Sequence, residues 1–71
     1  MSSKPHNTNK LSKREIEVLA EMVKGKTNKE IANTLFVSEK TIKTHVSHIF
    51  NKLSVTDRTQ AAIYAIENKL V

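Results

Sequence analysis

Cysteine is absent from this 71-residue chain, so neither a disulfide nor a thiolate metal site can hold it together. That absence is compatible with the cytosol, where we place the protein. Glycine and proline occur once each, which leaves little room for long loops. Aromatic residues make up only 4% of the chain, which argues against a surface that stacks single-stranded bases. No apolar run approaches the roughly 20 residues that a membrane span needs. The N-terminus also lacks the apolar segment of an export signal. Apolar residues are 38% of the total, so one thin, helical core is all this length can support.

A catalytic constellation is missing as well. Glu15, Glu17 and Glu21 fall on a helical segment with several basic residues, where solvated or capping positions are expected. Each Ser and Thr is explained by a cap, a turn or an outer helix face. So small a chain has little volume for a pocket that would tune a proton donor. We therefore expect no enzyme activity, no cofactor and no small-molecule ligand in this domain.

What is present is positive charge, unevenly spread. The net charge is +5. Residues 1–23 carry four basic and three acidic side chains, and residues 54–71 balance to zero. Residues 24–53 hold six Lys against Glu30 and Glu39, for +4. A polyanion would profit from that segment, because each neutralised phosphate releases counterions. Charge alone leaves ordinary solubilising Lys as an equal alternative.

Residues 1–10 are polar, hold the one Pro and show no apolar periodicity, as in a disordered tail or linker remnant. The domain is expected over residues 11–71. Ser12 and Glu15 make a capping box for a first helix over 13–24, with Ile16, Leu19 and Val23 inward and Val18 and Met22 widening that face. Gly25 supplies the left-handed stop. Thr27 and Glu30 repeat the box for a short second helix carrying Ile31, Ala32 and Leu35. Phe36 and Val37 interrupt it, and Ser38 caps a third helix. There Ile42, Val46, Ile49, Phe50 and Leu53 form one core-facing stripe. Asp57 and Gln60 start a fourth helix that runs to about residue 68. The fold class is all-α, a four-helix bundle with no strand signal.

The second and third helices, joined by a tight turn, have the layout of a helix-turn-helix, whose second helix enters the major groove of DNA. Opposite the third helix's apolar stripe lie Lys40, Lys43, Thr44, Ser47 and Asn51, a face with no acid after Glu39. Lys can donate to guanine, a Thr methyl can touch the thymine methyl, and Ser can serve either kind of base. A merely solvated face normally mixes Glu with Lys.

Over residues 11–71, and most clearly in KTIKTHVSHIFNKL, the chain resembles the LuxR/NarL (GerE-type) DNA-binding domain of bacterial transcription regulators. The resemblance implies a helix-turn-helix without a wing, double-stranded DNA as partner, a homodimer on a near-palindromic site, and RNA polymerase as a further partner. It implies base contacts by Lys43, Thr44 and Ser47. Ser47 stands where relatives often carry a basic residue, which implies a different or weaker base preference. Phosphate contacts fall by the same resemblance on Asn28, Ser38, Lys40, Thr41, His45 and Lys52. The segment VTDRTQAAIYAI resembles the family's last helix, which implies a dimer contact that includes Thr59, Ala62, Ile63 and Ile66. The output domain of a two-component response regulator is the context expected first. A stand-alone regulator of the same family, or a protein-interaction module, is the alternative.

Three features are set aside. His45 and His48 stand three apart, but no Cys and no nearby carboxylate pair completes a metal shell. His45 lies at the border between the core and outer faces, and His48 faces solvent or the rim. Gly25, Lys26 and Thr27 mimic the end of a phosphate-binding loop, yet its first Gly would fall on Ala20. Arg58 has three candidate partners: Glu15, Glu30 or a phosphate.

Overall fold

The computed structural model describes residues 11–71; the expected tail, residues 1–10, lies outside the described residues. Four helices follow in order: α1 (Lys13–Val23), α2 (Asn28–Leu35), α3 (Glu39–Leu53) and α4 (Arg58–Glu67). Their starts obey the caps in the sequence. The Ser12 hydroxyl accepts from the Glu15 N–H at 3.1 Å, while the Ser12 N–H donates to Glu15 Oε1 at 2.9 Å. Thr27 and Glu30 close the same reciprocal pair at 3.2 and 2.8 Å. Ser38 accepts from the Thr41 N–H at 3.0 Å. At α4 the Gln60 N–H reaches Asp57 Oδ1 at 2.9 Å, but the Gln60 side chain accepts from Thr56 N–H instead of Asp57 N–H, one residue further back.

The four stops share one device. Each helix ends on a residue with positive φ, namely Gly25 (86°), Phe36 (62°), Ser54 (58°) and Lys69 (55°). The N–H of the next residue then donates to the carbonyl five positions back: Lys26 to Glu21, Val37 to Ala32, Val55 to Phe50, and Leu70 to Ala65. This Schellman closure satisfies carbonyls that the helix end would leave unpaired. In three of the four, the residue that donates is apolar and packs against the core. That burial offsets the strain of a left-handed side-chain-bearing residue, and it explains how one Gly suffices for four helix ends.

The core is formed by Val18, Leu19 and Met22 of α1, Ile31 and Ala32 of α2, Ile42, Val46, Ile49 and Leu53 of α3, and Ala61 and Ala65 of α4. Helix α3 packs against all three others, and α1 also packs against α4. The stripe expected on α3 is the one buried, with Phe50 half-covered at its edge. On α1 the buried line is Glu15, Val18, Leu19 and Met22; Ile16 and Val23, expected at its centre, are only half-buried at the flanks. Helix α1 is thus rotated from the expected register, and a carboxylate takes an inward place.

Two stability predictions follow from this packing. Ile49→Ala, at a fully buried position, should lower the unfolding free energy by about 2–5 kcal/mol. Phe36 has its side chain 93% exposed on left-handed backbone. Phe36→Asn should therefore raise stability by about 0.5–1 kcal/mol, since Asn tolerates that conformation and no packing is lost. Urea titrations followed by helical circular dichroism measure both.

Candidate nucleic-acid interface

The apolar stripe of α3 fixes what its opposite side can present. Lys40, Lys43, Thr44, Ser47 and Asn51 are all exposed there, as the helical periodicity requires. The ammonium groups of Lys40 and Lys43 make no ion pair, so the positive charge of this face is not neutralised from within the described residues. The Thr44 hydroxyl donates back to the Lys40 carbonyl at 3.2 Å. Its methyl and a remaining lone pair are then what Thr44 offers outward, a geometry the sequence did not reveal. Ser47 keeps an uncommitted hydroxyl.

The residues expected to hold phosphates flank this face and differ among themselves. Lys40 is exposed and uncommitted. Ser38 and Thr41 are locked into the start of α3, with their hydroxyls 2.9 Å apart. Asn28 opens α2 and is half-buried; His45 is half-buried on the border of the α3 stripe, as expected. Lys52 is unlike the rest, because its ammonium lies 2.7 Å from Glu15 Oε1. It braces α3 against α1 from behind the exposed face.

Glu15 is the residue behind this face that the sequence undervalues. It was expected at a solvated or capping position; it does cap α1, yet only 4% of it is exposed. One oxygen accepts from both the Ser12 N–H and Lys52, and the other lies 3.8 Å from His48 Nδ1. The signal was available: Glu15 stands at i relative to Val18, Leu19 and Met22 at i+3, i+4 and i+7, on the buried line itself. Burial alone would raise its pKa. The hydrogen bonds from Lys52 and Ser12, then the charges of Lys52 and His48, outweigh burial and hold it below its ordinary 4.5. His48 is exposed, as expected.

Arg58 pairs with neither Glu15 nor Glu30 among the described residues. Its guanidinium donates to the Lys26 carbonyl at 3.0 Å, tying α4 to the α1–α2 turn. That turn is also held from α1, where Glu21 pairs with Lys26 at 2.7 Å and Lys24 at 3.2 Å. Hydrogen bonds from these two Lys keep the Glu21 carboxyl below its usual range.

The outer side of α4 forms one wall of a shallow groove of about 700 Å³, opposite Met22, Val23 and residues 25–29. Thr59, Ala62, Ile63 and Ile66 all line it. The sequence could not assign the faces of this helix. The structure turns Ala61 and Ala65 into the core and leaves Ile63 and Ile66 half or more exposed. No helix among the described residues is long and apolar enough to cross a membrane.

The lowered pKa of Glu15 dictates an acid dependence. Because the folded value lies below the unfolded one, the stabilisation is fully present above about pH 4.5 and fades as the pH falls through the folded value. Glu15→Gln should therefore show a shallower loss of urea midpoint than the parent chain on acidification from pH 5. The slope should not vanish, since Glu21 titrates in the same sense.

Comparison with known proteins bears on the whole arrangement. The family described as "Bacterial regulatory proteins, luxR family" matches residues 9–65. The chain is 55% identical over 67 residues to the transcriptional regulatory protein LiaR of Bacillus subtilis (strain 168), covering 94% of this chain and 31% of LiaR. It is 51% identical over 61 residues to the response regulator protein VraR of Staphylococcus aureus (strain Mu3 / ATCC 700698), covering 86% of this chain and 29% of VraR. The crystal structure of the response regulator ChrA, from a heme-sensing two-component system, aligns with a TM-score of 0.83 and 39% identity, over all of this chain and 33% of ChrA. This chain thus spans less than a third of the length of LiaR and VraR, and about a third of ChrA. With its helix-turn-helix, it belongs to the luxR family of bacterial regulatory proteins and has the fold of their DNA-binding domain.

Proposed function

We propose that this chain reads specific duplex DNA to control transcription, as a dimer on a near-palindromic site, and that it is the output domain of a two-component response regulator. The observation that carries the reading is the outer face of α3, on which Lys40, Lys43, Thr44 and Ser47 are exposed beside one another with no acid among them. Placed in the major groove, Lys43, Thr44 and Ser47 meet base edges. Lys40 with Asn28, Ser38, Thr41 and His45 meets the flanking phosphates, and Lys52 completes that set while bracing Glu15. The names of VraR and ChrA support the response-regulator context, and that of LiaR supports transcription regulation. We further place the protein in the cytoplasm, with RNA polymerase as a later partner.

The exposed side of α4 supports the dimer. Thr59, Ala62, Ile63 and Ile66 repeat at i, i+3, i+4 and i+7, and the small Ala62 lets a second α4 approach closely. Half-sites about one helical turn apart suit two such modules.

Selection from a random duplex library, followed by titration at two salt concentrations, tests the reading. An enriched inverted repeat that beats scrambled DNA supports it; salt-sensitive binding without enrichment leaves only a generic basic binder. No binding at low salt favours a protein-interaction module. Lys43→Ala should lose about 1–3 kcal/mol on the selected site and relax preference at one base pair, while Lys40→Ala weakens all duplexes alike. Ile63→Asp should abolish cooperative occupancy of the two half-sites and leave single half-site binding intact.

A further inference from the structure

Three enclosed side-chain polar atoms stand out among the described residues: Glu21 Oε1, and Asn28 Oδ1 and His45 Nδ1, which have no hydrogen-bond partner there. The first is neutralised by Lys26 at 2.7 Å. The other two belong to residues already placed beside the phosphates, one on each helix of the motif. In each case the enclosed atom dictates what the rest of the side chain shows to solvent.

A neutral imidazole carries its proton on one nitrogen and a lone pair on the other. A proton on Nδ1 of His45 would enclose a donor with no acceptor, and orphaned buried N–H groups are rarer than orphaned acceptors. It would also leave a lone pair on the outward nitrogen, facing any phosphate oxygen. A proton on Nε2 encloses only a lone pair and turns the N–H outward. Asn28 follows the same rule: its carbonyl oxygen is enclosed, so its amide N–H groups face out.

We propose that His45 holds its proton on Nε2 and meets a phosphate oxygen as an uncharged donor, with Asn28 doing the same from α2. The proposal rests on the reading of α3 as the DNA-facing helix. These two contacts fix the orientation of the motif on the duplex, because a hydrogen bond is directional. They add nothing to its salt dependence, which tracks the phosphates neutralised by cations. Two kinds of backbone contact thus divide the work: Lys supplies attraction, and His45 with Asn28 supplies register.

The test uses the isosteres of histidine. The amide nitrogen of Gln overlays Nε2, whereas that of Asn overlays Nδ1. Affinity for the selected duplex is measured against salt at about pH 8, where imidazole is ordinarily neutral. His45→Gln should bind within a fewfold of the parent chain. His45→Asn should bind about tenfold more weakly with the same slope of log K against log salt. Lys40→Ala should lower that slope by about 0.9. Thermal melts confirm that each variant is folded, and nitrogen-15 spectra of the parent chain report the tautomer directly, with exposed His48 as the internal reference. A slope that falls in His45→Asn, a proton found on Nδ1, two variants that both bind normally, or two that both fail would each overturn the proposal. If the parent chain binds no duplex at all, the DNA-facing reading fails instead.

Discussion

Helix α3 must satisfy two incompatible solvents along the same 15 residues, and that constraint organises the domain. Its inner stripe, Ile42, Val46, Ile49 and Leu53, is buried, and α1, α2 and α4 all pack against this helix. Burial of such side chains contributes about 1.5–3 kcal/mol each, and a domain of this size has few other sources of stability. The outer side, half a turn out of phase, is left free of acids and of internal ion pairs among the described residues. A helix held so firmly from within can carry repelling Lys outward without unwinding. The other elements serve that arrangement: α2 packs on one side of the stripe, α1 backs it, and α4 closes the side away from α2.

The Glu15 contact belongs to the same logic. A buried carboxylate is unfavourable unless it is paired and hydrogen-bonded. Here one side chain caps α1, accepts from Lys52 at the far end of α3 and faces His48. Losing one partner would leave charge uncompensated in a low-dielectric site, so the contact resists slippage of α3 along α1. It is a register pin more than a source of net stability. Arg58 does the corresponding task for α4 through the Lys26 carbonyl.

The helix starts were legible in the sequence because capping is local chemistry. Ser12, Thr27, Ser38 and Asp57 each accept from the backbone three residues on, and the periodicity of α3 made its inward and outward faces readable. A left-handed stop was legible only at Gly25. Phe36, Ser54 and Lys69 adopt the same left-handed stop without the residue that announces it, because the burial of Val37, Val55 and Leu70 decides the matter from a distance. The rotation of α1, the inward Glu15 and the partner of Arg58 also depend on where other helices lie. The site separates in the same way. The exposed Lys, Thr and Ser of α3 followed from one helix alone, whereas the enclosure of single atoms of Asn28 and His45 shows only in the folded domain.

The division of α3 into an anchored side and a free side carries a consequence for how such proteins diversify. Substitutions at Lys43, Thr44 and Ser47 touch no core atom, so the folding free energy is nearly indifferent to them. The α2–α3 turn, by contrast, is held by Ser38, Val37 and the Ala32 carbonyl and leaves little slack. On the proposed reading of α3, a duplicated gene explores new recognition sequences through a handful of codons while its protein stays folded at every step. Drift of that kind would leave the scaffold unchanged and make the outer side chains of α3 the record of each regulator's history.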